Sequence, residues 1–154
     1  MIDTEKLIIH NSVEFHTINP NKILYISSDG NYSNIYLTDG GMMQTIPFSI
    51  GQIADKIHLQ LSARSDSKFV RLGRQFIVNV SHILSIYPTK KQLVFDVIHP
   101  YEKTHVRIYP SSSALSSLIA NLATEIDSAL LREASLPQDE AEVDDDTCVF
   151  LNEN

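Results

Sequence analysis

Residues 69–83 read Phe69-Val70-Arg71-Leu72-Gly73-Arg74-Gln75-Phe76-Ile77-Val78-Asn79-Val80-Ser81-His82-Ile83. An Arg-x-x-Arg pair enters a short apolar strand that ends in asparagine, and after a turn a further apolar position follows. Phe69, Leu72, Phe76, Val78 and Ile83 are the residues this pattern sends to a core. Arg71 and Arg74 need not both face outward: one can pair with a carboxylate while the other stays free. Asn79 is expected to hydrogen-bond local backbone and hold the turn, as asparagine commonly does.

Working outward, the flanking segments repeat the same texture. Lys22-Ile23-Leu24-Tyr25-Ile26-Ser27 and Asn34-Ile35-Tyr36-Leu37-Thr38 are rich in β-branched and aromatic residues, the composition of strands. The Asp29-Gly30 pair between them marks a turn and predicts a hairpin. Asp39-Gly40-Gly41 leads into Met42-Met43-Gln44-Thr45-Ile46, which Pro47 ends because it cannot donate to a ladder. Ser49 is an acceptable N-cap. Ile50, Ile53, Ile57 and Leu61 then recur at helical spacing, with Gln52, Asp55 and Lys56 facing outward. Ile83–Tyr87, Leu93–Val97 and Thr104–Tyr109 read as strands, the last two as an antiparallel pair around His99-Pro100. A second helix opens near Ser111-Ser112-Ser113 and carries Leu115, Leu118, Ile119, Leu122, Ile126 and Leu130 as one stripe. The chain therefore reads as mostly β, with many short strands, one interior helix and one C-terminal helix. It divides into a domain over 1–111, the C-terminal helix over 112–134 and an acidic tail over 135–154 with little to bury.

At 154 residues and 17.3 kDa the chain suits a single domain of ordinary size. The net charge of −7 averages unlike parts. The tail holds seven acids and no base, and residues 1–134 hold twelve of each sign. Residues 64–107 carry Arg64, Lys68, Arg71, Arg74, Lys90, Lys91, Lys103 and Arg107 against Asp66, Asp96 and Glu102, a net +5. A basic middle masked by an acidic tail fits a polyanion partner and a tail that competes for the same surface; a solvated charged face is the plainer reading. No apolar run is long enough to span a membrane, and the acidic N-terminus is unlike a signal peptide, so the expectation is a cytoplasmic protein.

Catalysis is not expected. His10, His16, His58, His82, His99 and His105 include no pair at the spacing of a helical metal site. His99 and His105 could meet across a turn, but as an exposed pair rather than a metal site. Cys148 lies alone among carboxylates that raise its pKa, which makes it a poor nucleophile, and it excludes an internal disulfide framework. No glycine-rich phosphate loop follows a strand, so no cofactor and no metal are anticipated. The sequons at Asn31 and Asn79 read as chance matches.

Residues 69–83 resemble the signature of the LytTR family of bacterial DNA-binding domains, roughly F-x-R-x-x-(R/K)-x-(Y/F)-(I/L)-V-N followed by an isoleucine. Ile23-Leu24-Tyr25-Ile26 with Asp29-Gly30-Asn31-Tyr32 is similar to the family's upstream hairpin, and Ser49-Ile50 to the start of its interior helix; the likeness runs over about residues 6–118. It implies an elongated, mostly β module that binds double-stranded DNA through loops in successive major grooves, usually as a pair on direct repeats. Its contacts map onto Asn31, Tyr32 and Ser33, onto Arg74 and Gln75 with Arg71 beside them, and onto Ser111 and Ser112. The family usually carries arginine where this chain has Ser112, and the first loop has no base. Lys90, Lys91 and Lys103 could supply phosphate contacts, since these need only charge within reach, and Ser111 and Ser112 read equally as an N-cap. Two functions follow. One is a DNA-binding transcriptional regulator with no receiver domain in this chain. The other is a protein-interaction module of the same fold with reduced DNA binding, using the C-terminal helix and the acidic tail. That helix outruns the family pattern and could pack back on the sheet, pair with a second copy or dock a sensor protein.

Overall fold

The computed structural model describes residues 5–96 and 105–135. The chain forms two compact units, Met1–Leu118 and Ile119–Asn154. The first opens with β1 (Leu7–His10), β2 (Phe15–Ile18), β3 (Ile23–Asp29), β4 (Tyr32–Leu37) and β5 (Met42–Ile46). Helix α1 (Ile50–Gln60) and the single turn α2 (Ala63–Asp66) follow, then β6 (Phe69–Leu72), β7 (Phe76–Asn79), β8 (Ile83–Tyr87), β9 (Gln92–Phe95) and β10 (Val106–Ile108). Helix α3 (Ser112–Ser135) begins in the first unit and supplies the described part of the second.

The strands form three antiparallel sheets: β1-β2, β5-β4-β3-β7-β6 and β10-β9-β8. The mostly β expectation holds, as do the 23–37 hairpin and the pairing of the last two strands. The His99-Pro100 turn, Lys103 and the tail beyond Ser135 lie outside the described residues.

The five-stranded sheet is covered on both faces, which explains why β3 and β7 are apolar in runs rather than in alternation. On one face Ile26, Ile35, Ile46 and Ile77 meet Ile50, Ile53, Ile57 and Leu61 of α1 and its end, together with Leu7, Ile9 and Ile18 of β1-β2. The helical stripe is thus buried as its spacing predicts; burying each such isoleucine is worth about 1.5–3 kcal/mol. Lys56 is the exception to the outward list, being half-buried with Nζ 4.4 Å from the Phe48 ring centroid. On the other face Tyr25 stacks on Tyr36 at 4.3 Å and on Phe95 of β9 at 5.3 Å, with Phe76 edge-on at 6.0 Å. That aromatic cluster joins the five-stranded sheet to the three-stranded one. Burial, and then Tyr36, push the Tyr25 hydroxyl far above the usual tyrosine range.

Both ends of α1 are fixed by side-chain chemistry. Ser49 and Gln52 form a reciprocal capping box at α1. The far end of α1 is tied to the N-terminal strand: Gln60 Nε2 donates to the Ile8 carbonyl at 2.8 Å, and the Ile8 amide donates to Gln60 Oε1 at 2.7 Å. A side-chain amide thereby occupies the open edge of β1, where an unpaired ladder would invite another chain.

The signature stretch is only partly the core it was expected to be. Leu72 and Val78 are buried, but Phe69, Phe76 and Ile83 are half-buried, and Ile77 is buried in their place. With both faces of β7 covered, the neighbours Ile77 and Val78 are buried together, while Ile83 opens β8 of the three-stranded sheet. Asn79 performs as expected: its Oδ1 accepts from the Ser81 amide at 3.1 Å and the Ser81 hydroxyl at 2.6 Å. Its Nδ2 also donates across the sheet to the Ile23 carbonyl at 2.9 Å. The first compact unit continues past residue 111 through Leu118, with Leu115 and Leu118 both buried.

Candidate nucleic-acid interface

Two hairpin tips share one end of the five-stranded sheet. Pairing of Asp29 with Tyr32 leaves Gly30-Asn31 as the loop between β3 and β4. Gly30 sits at φ +66, with Asn31 outside that region, the pattern of a two-residue turn with glycine first. Pairing of Leu72 with Phe76 leaves Gly73-Arg74-Gln75 between β6 and β7, with Gly73 at φ +61. Because β3 and β7 are antiparallel neighbours, the end of one lies beside the start of the other. The Ser28 amide donates to the Gln75 carbonyl at 2.8 Å and stitches the tips together. Asn31, Arg71, Arg74 and Gln75 are exposed, and Tyr32 keeps 47% of its surface open.

Neither arginine has a carboxylate partner among the described residues, so the anticipated pairing of one of them is not what orders it. Arg71 is oriented by backbone instead: its Nε donates to the Gly73 carbonyl at 3.1 Å. Its terminal nitrogens lie 3.7 and 3.8 Å from where a side chain at Gly51 would begin. A guanidinium held through Nε keeps its outer donors free for a carboxylate- or phosphate-like group. Arg74, at the loop centre, makes no bond to the described residues and is free to follow a ligand.

Ser33 departs from the expected set. It belongs to β4, is fully buried, and its Oγ donates to the Phe48 carbonyl at 2.8 Å. The turn is shorter than its sequence texture suggests, so the strand starts at Tyr32 and turns Ser33 inward.

Lys90, Lys91, Ser111 and Ser112 form a second group at one end of the three-stranded sheet. Lys90 and Lys91 lie in the β8-β9 turn, where Lys91 adopts φ +54 and its amide donates to the Pro88 carbonyl. Lys90 Nζ is 5.5 Å from the Tyr87 ring centroid. Pairing of Ile108 with Leu93 returns the chain to the same end, and Gln92 Nε2 donates to the Tyr109 hydroxyl at 3.4 Å. Ser111 is the cap of α3, accepting from the Ala114 amide at 3.2 Å; Ser112 is the first helical residue and exposed. Tyr87 and Tyr109, 44% and 63% exposed, flank these lysines and were not singled out from sequence. Their only signal was an aromatic at the end of each strand.

No helix among the described residues is long and apolar enough to cross a membrane. Among the described histidines, His58 Nδ1 lies 3.1 Å from Asp66, His16 Nε2 2.6 Å from Glu14 and His82 Nε2 2.6 Å from the Asn21 carbonyl.

Comparison with known proteins places this architecture. No curated protein matches the chain. A solved LytTr DNA-binding domain from Bacillus cereus shares the fold, with a TM-score of 0.50 and 20% identity over 78% of this chain and 98% of that one. The family model of the LytTr DNA-binding domain matches residues 14–120, which take in both hairpin tips, α1 and the signature stretch. The chain belongs to the LytTR family of DNA-binding domains.

Proposed function

We propose that this chain is a cytoplasmic, DNA-binding transcriptional regulator that reads double-stranded DNA with the β3-β4 and β6-β7 tips. The observation that carries this reading is the pair of stitched tips bearing two arginines without a carboxylate partner among the described residues. Arg74 reads guanine or clamps a phosphate, Arg71 presents an oriented guanidinium to the backbone, and Asn31, Tyr32 and Gln75 enter the groove beside them. Lys90 and Lys91, with Ser111 and Ser112, contact phosphates as a second patch, taking over charge that the family usually places at the position of Ser112. Ser33 acts from inside, holding the start of β4. Paired direct-repeat sites would bring two copies side by side, with the C-terminal helix as a contact for a second copy or a sensor protein.

Serine at position 112 favours the other reading, an interaction module of the same fold with reduced DNA binding. Fluorescence anisotropy on pooled random duplexes over a salt series separates them. A regulator binds with an affinity that falls steeply with salt, and selection enriches repeated sites. Arg74→Ala then weakens binding by about 1–3 kcal/mol with unchanged thermal unfolding. No binding at low salt by the parent chain refutes the regulator, and an Arg74→Ala variant that binds like the parent refutes the placement of the contact.

A further inference from the structure

The ladder between β4 and β5 slips between the pairs Ile35–Met43 and Ser33–Ile46, so Asn34 faces both Gln44 and Thr45. Thr45 sits at φ +55, a left-handed conformation that crowds Cβ and that β-branched residues rarely adopt. Bulges with a left-handed residue ordinarily place glycine there. Asn34 holds the distortion, its Oδ1 accepting the Thr45 amide at 2.9 Å in place of a ladder carbonyl. The flanks are anchored: Met43 is half-buried and Ile46 is 1% exposed. Gln44 and Thr45 are both exposed, and neither side chain makes a hydrogen bond to a described residue. Nothing that the Thr45 side chain does among the described residues offsets the strain.

The bulge adjoins the hairpin tip. Ser33 and Ile35 face the α1 side of the sheet, so alternation puts Tyr32 and Asn34 on the opposite face, where Asn34 meets Thr45. Strained backbone and bulges concentrate where a protein must aim a side chain at a ligand. A carboxamide offers donor and acceptor side by side, the pattern that pairs with N6 and N7 of adenine in the major groove.

We propose, on the basis of the DNA-binding reading above, that Gln44 is a base-reading residue aimed by the Thr45 bulge and held by Asn34. It extends the reading surface from the two tips onto β5. The test is selection from random duplexes by the parent chain, by Gln44→Ala and by Thr45→Gly, each with a thermal unfolding curve. Gln44→Ala is expected to unfold like the parent, to bind the parent's selected site about tenfold more weakly, and to lose its preference at one base pair. Thr45→Gly keeps the bulge without the strain, so it should retain the selected site and unfold at a higher temperature. A parent that selects a site while Gln44→Ala selects the same site with equal affinity overturns this inference alone. Equal weakening on every duplex also overturns it, because the contact would then carry no sequence. A parent that enriches no sequence overturns it together with the DNA-binding reading.

Discussion

Asn79 offers the clearest quantitative handle on the signature stretch. Replacing it with alanine removes three hydrogen bonds, two from Ser81 and one to the Ile23 carbonyl. Ser81 is exposed, so water can take over its two groups at little net cost. The Ile23 residue is fully buried, and leaving its carbonyl without a donor costs about 1–3 kcal/mol. With the lost bonds and the small void, the expected destabilisation is about 3 kcal/mol, a large share of the 5–15 kcal/mol typical of a domain. In urea that lowers the unfolding midpoint by about 1–3 M without changing the slope. Asn79→Asp sharpens the test because it keeps the acceptor for Ser81 and loses only the donor. Its carboxylate would face the Ile23 carbonyl, acceptor against acceptor, so the folded state favours the protonated acid and raises its pKa above the unfolded value of about 3.9. A raised pKa contributes stability below the unfolded pKa and loses it as pH rises through the folded one. The deficit of the aspartate variant relative to the parent should therefore be small near pH 3 and grow through the range above 4. An alanine variant within about 0.5 kcal/mol of the parent, or an aspartate deficit that does not change with pH, refutes the assignment of the Asn79–Ile23 bond as the tie between β7 and β3.

Two further outcomes follow from the same structure. Tyr25 has a hydroxyl pKa raised first by burial and then by Tyr36, so the folded state holds its proton after the unfolded chain has lost it. Stability should fall as pH rises above about 10, and the fall should diminish in Tyr25→Phe; an absorbance titration in which every tyrosine ionises together near pH 10 in the folded state would count against the burial argument. Gln60→Ala removes both hydrogen bonds that close the edge of β1 and should cost about 1 kcal/mol, with faster hydrogen exchange at the Ile8 amide. An unchanged exchange rate there would mean that the Gln60 side chain does not protect that edge.

The local elements were legible in sequence because their causes are local. Asp29-Gly30 and Asp39-Gly40-Gly41 turn the chain by backbone conformation alone, Ser49 caps by its own hydroxyl, and Ile50, Ile53, Ile57 and Leu61 align by helical period. Asn79 was read correctly at its turn for the same reason. What escaped depended on neighbours distant in sequence. Ile77 joined the core beside Val78 because a helix covers one face of the sheet and an aromatic cluster the other, so adjacent residues of β7 are both buried, whereas Ile83 opens β8 of the other sheet and is only half-buried. Ser33 looked like a loop residue until the β3-β4 register shortened the turn and delivered its hydroxyl to Phe48, fifteen positions along the chain. The two arginines could be named from their spacing. That they stand at one end of the sheet beside Asn31 and Tyr32, with backbone rather than a carboxylate ordering Arg71, depends on strand order. The residue pattern by itself determined the family, the hairpins and the helices; only the tertiary structure decided which polar groups face inward, because burial is a property of what packs against a residue and not of the residue itself.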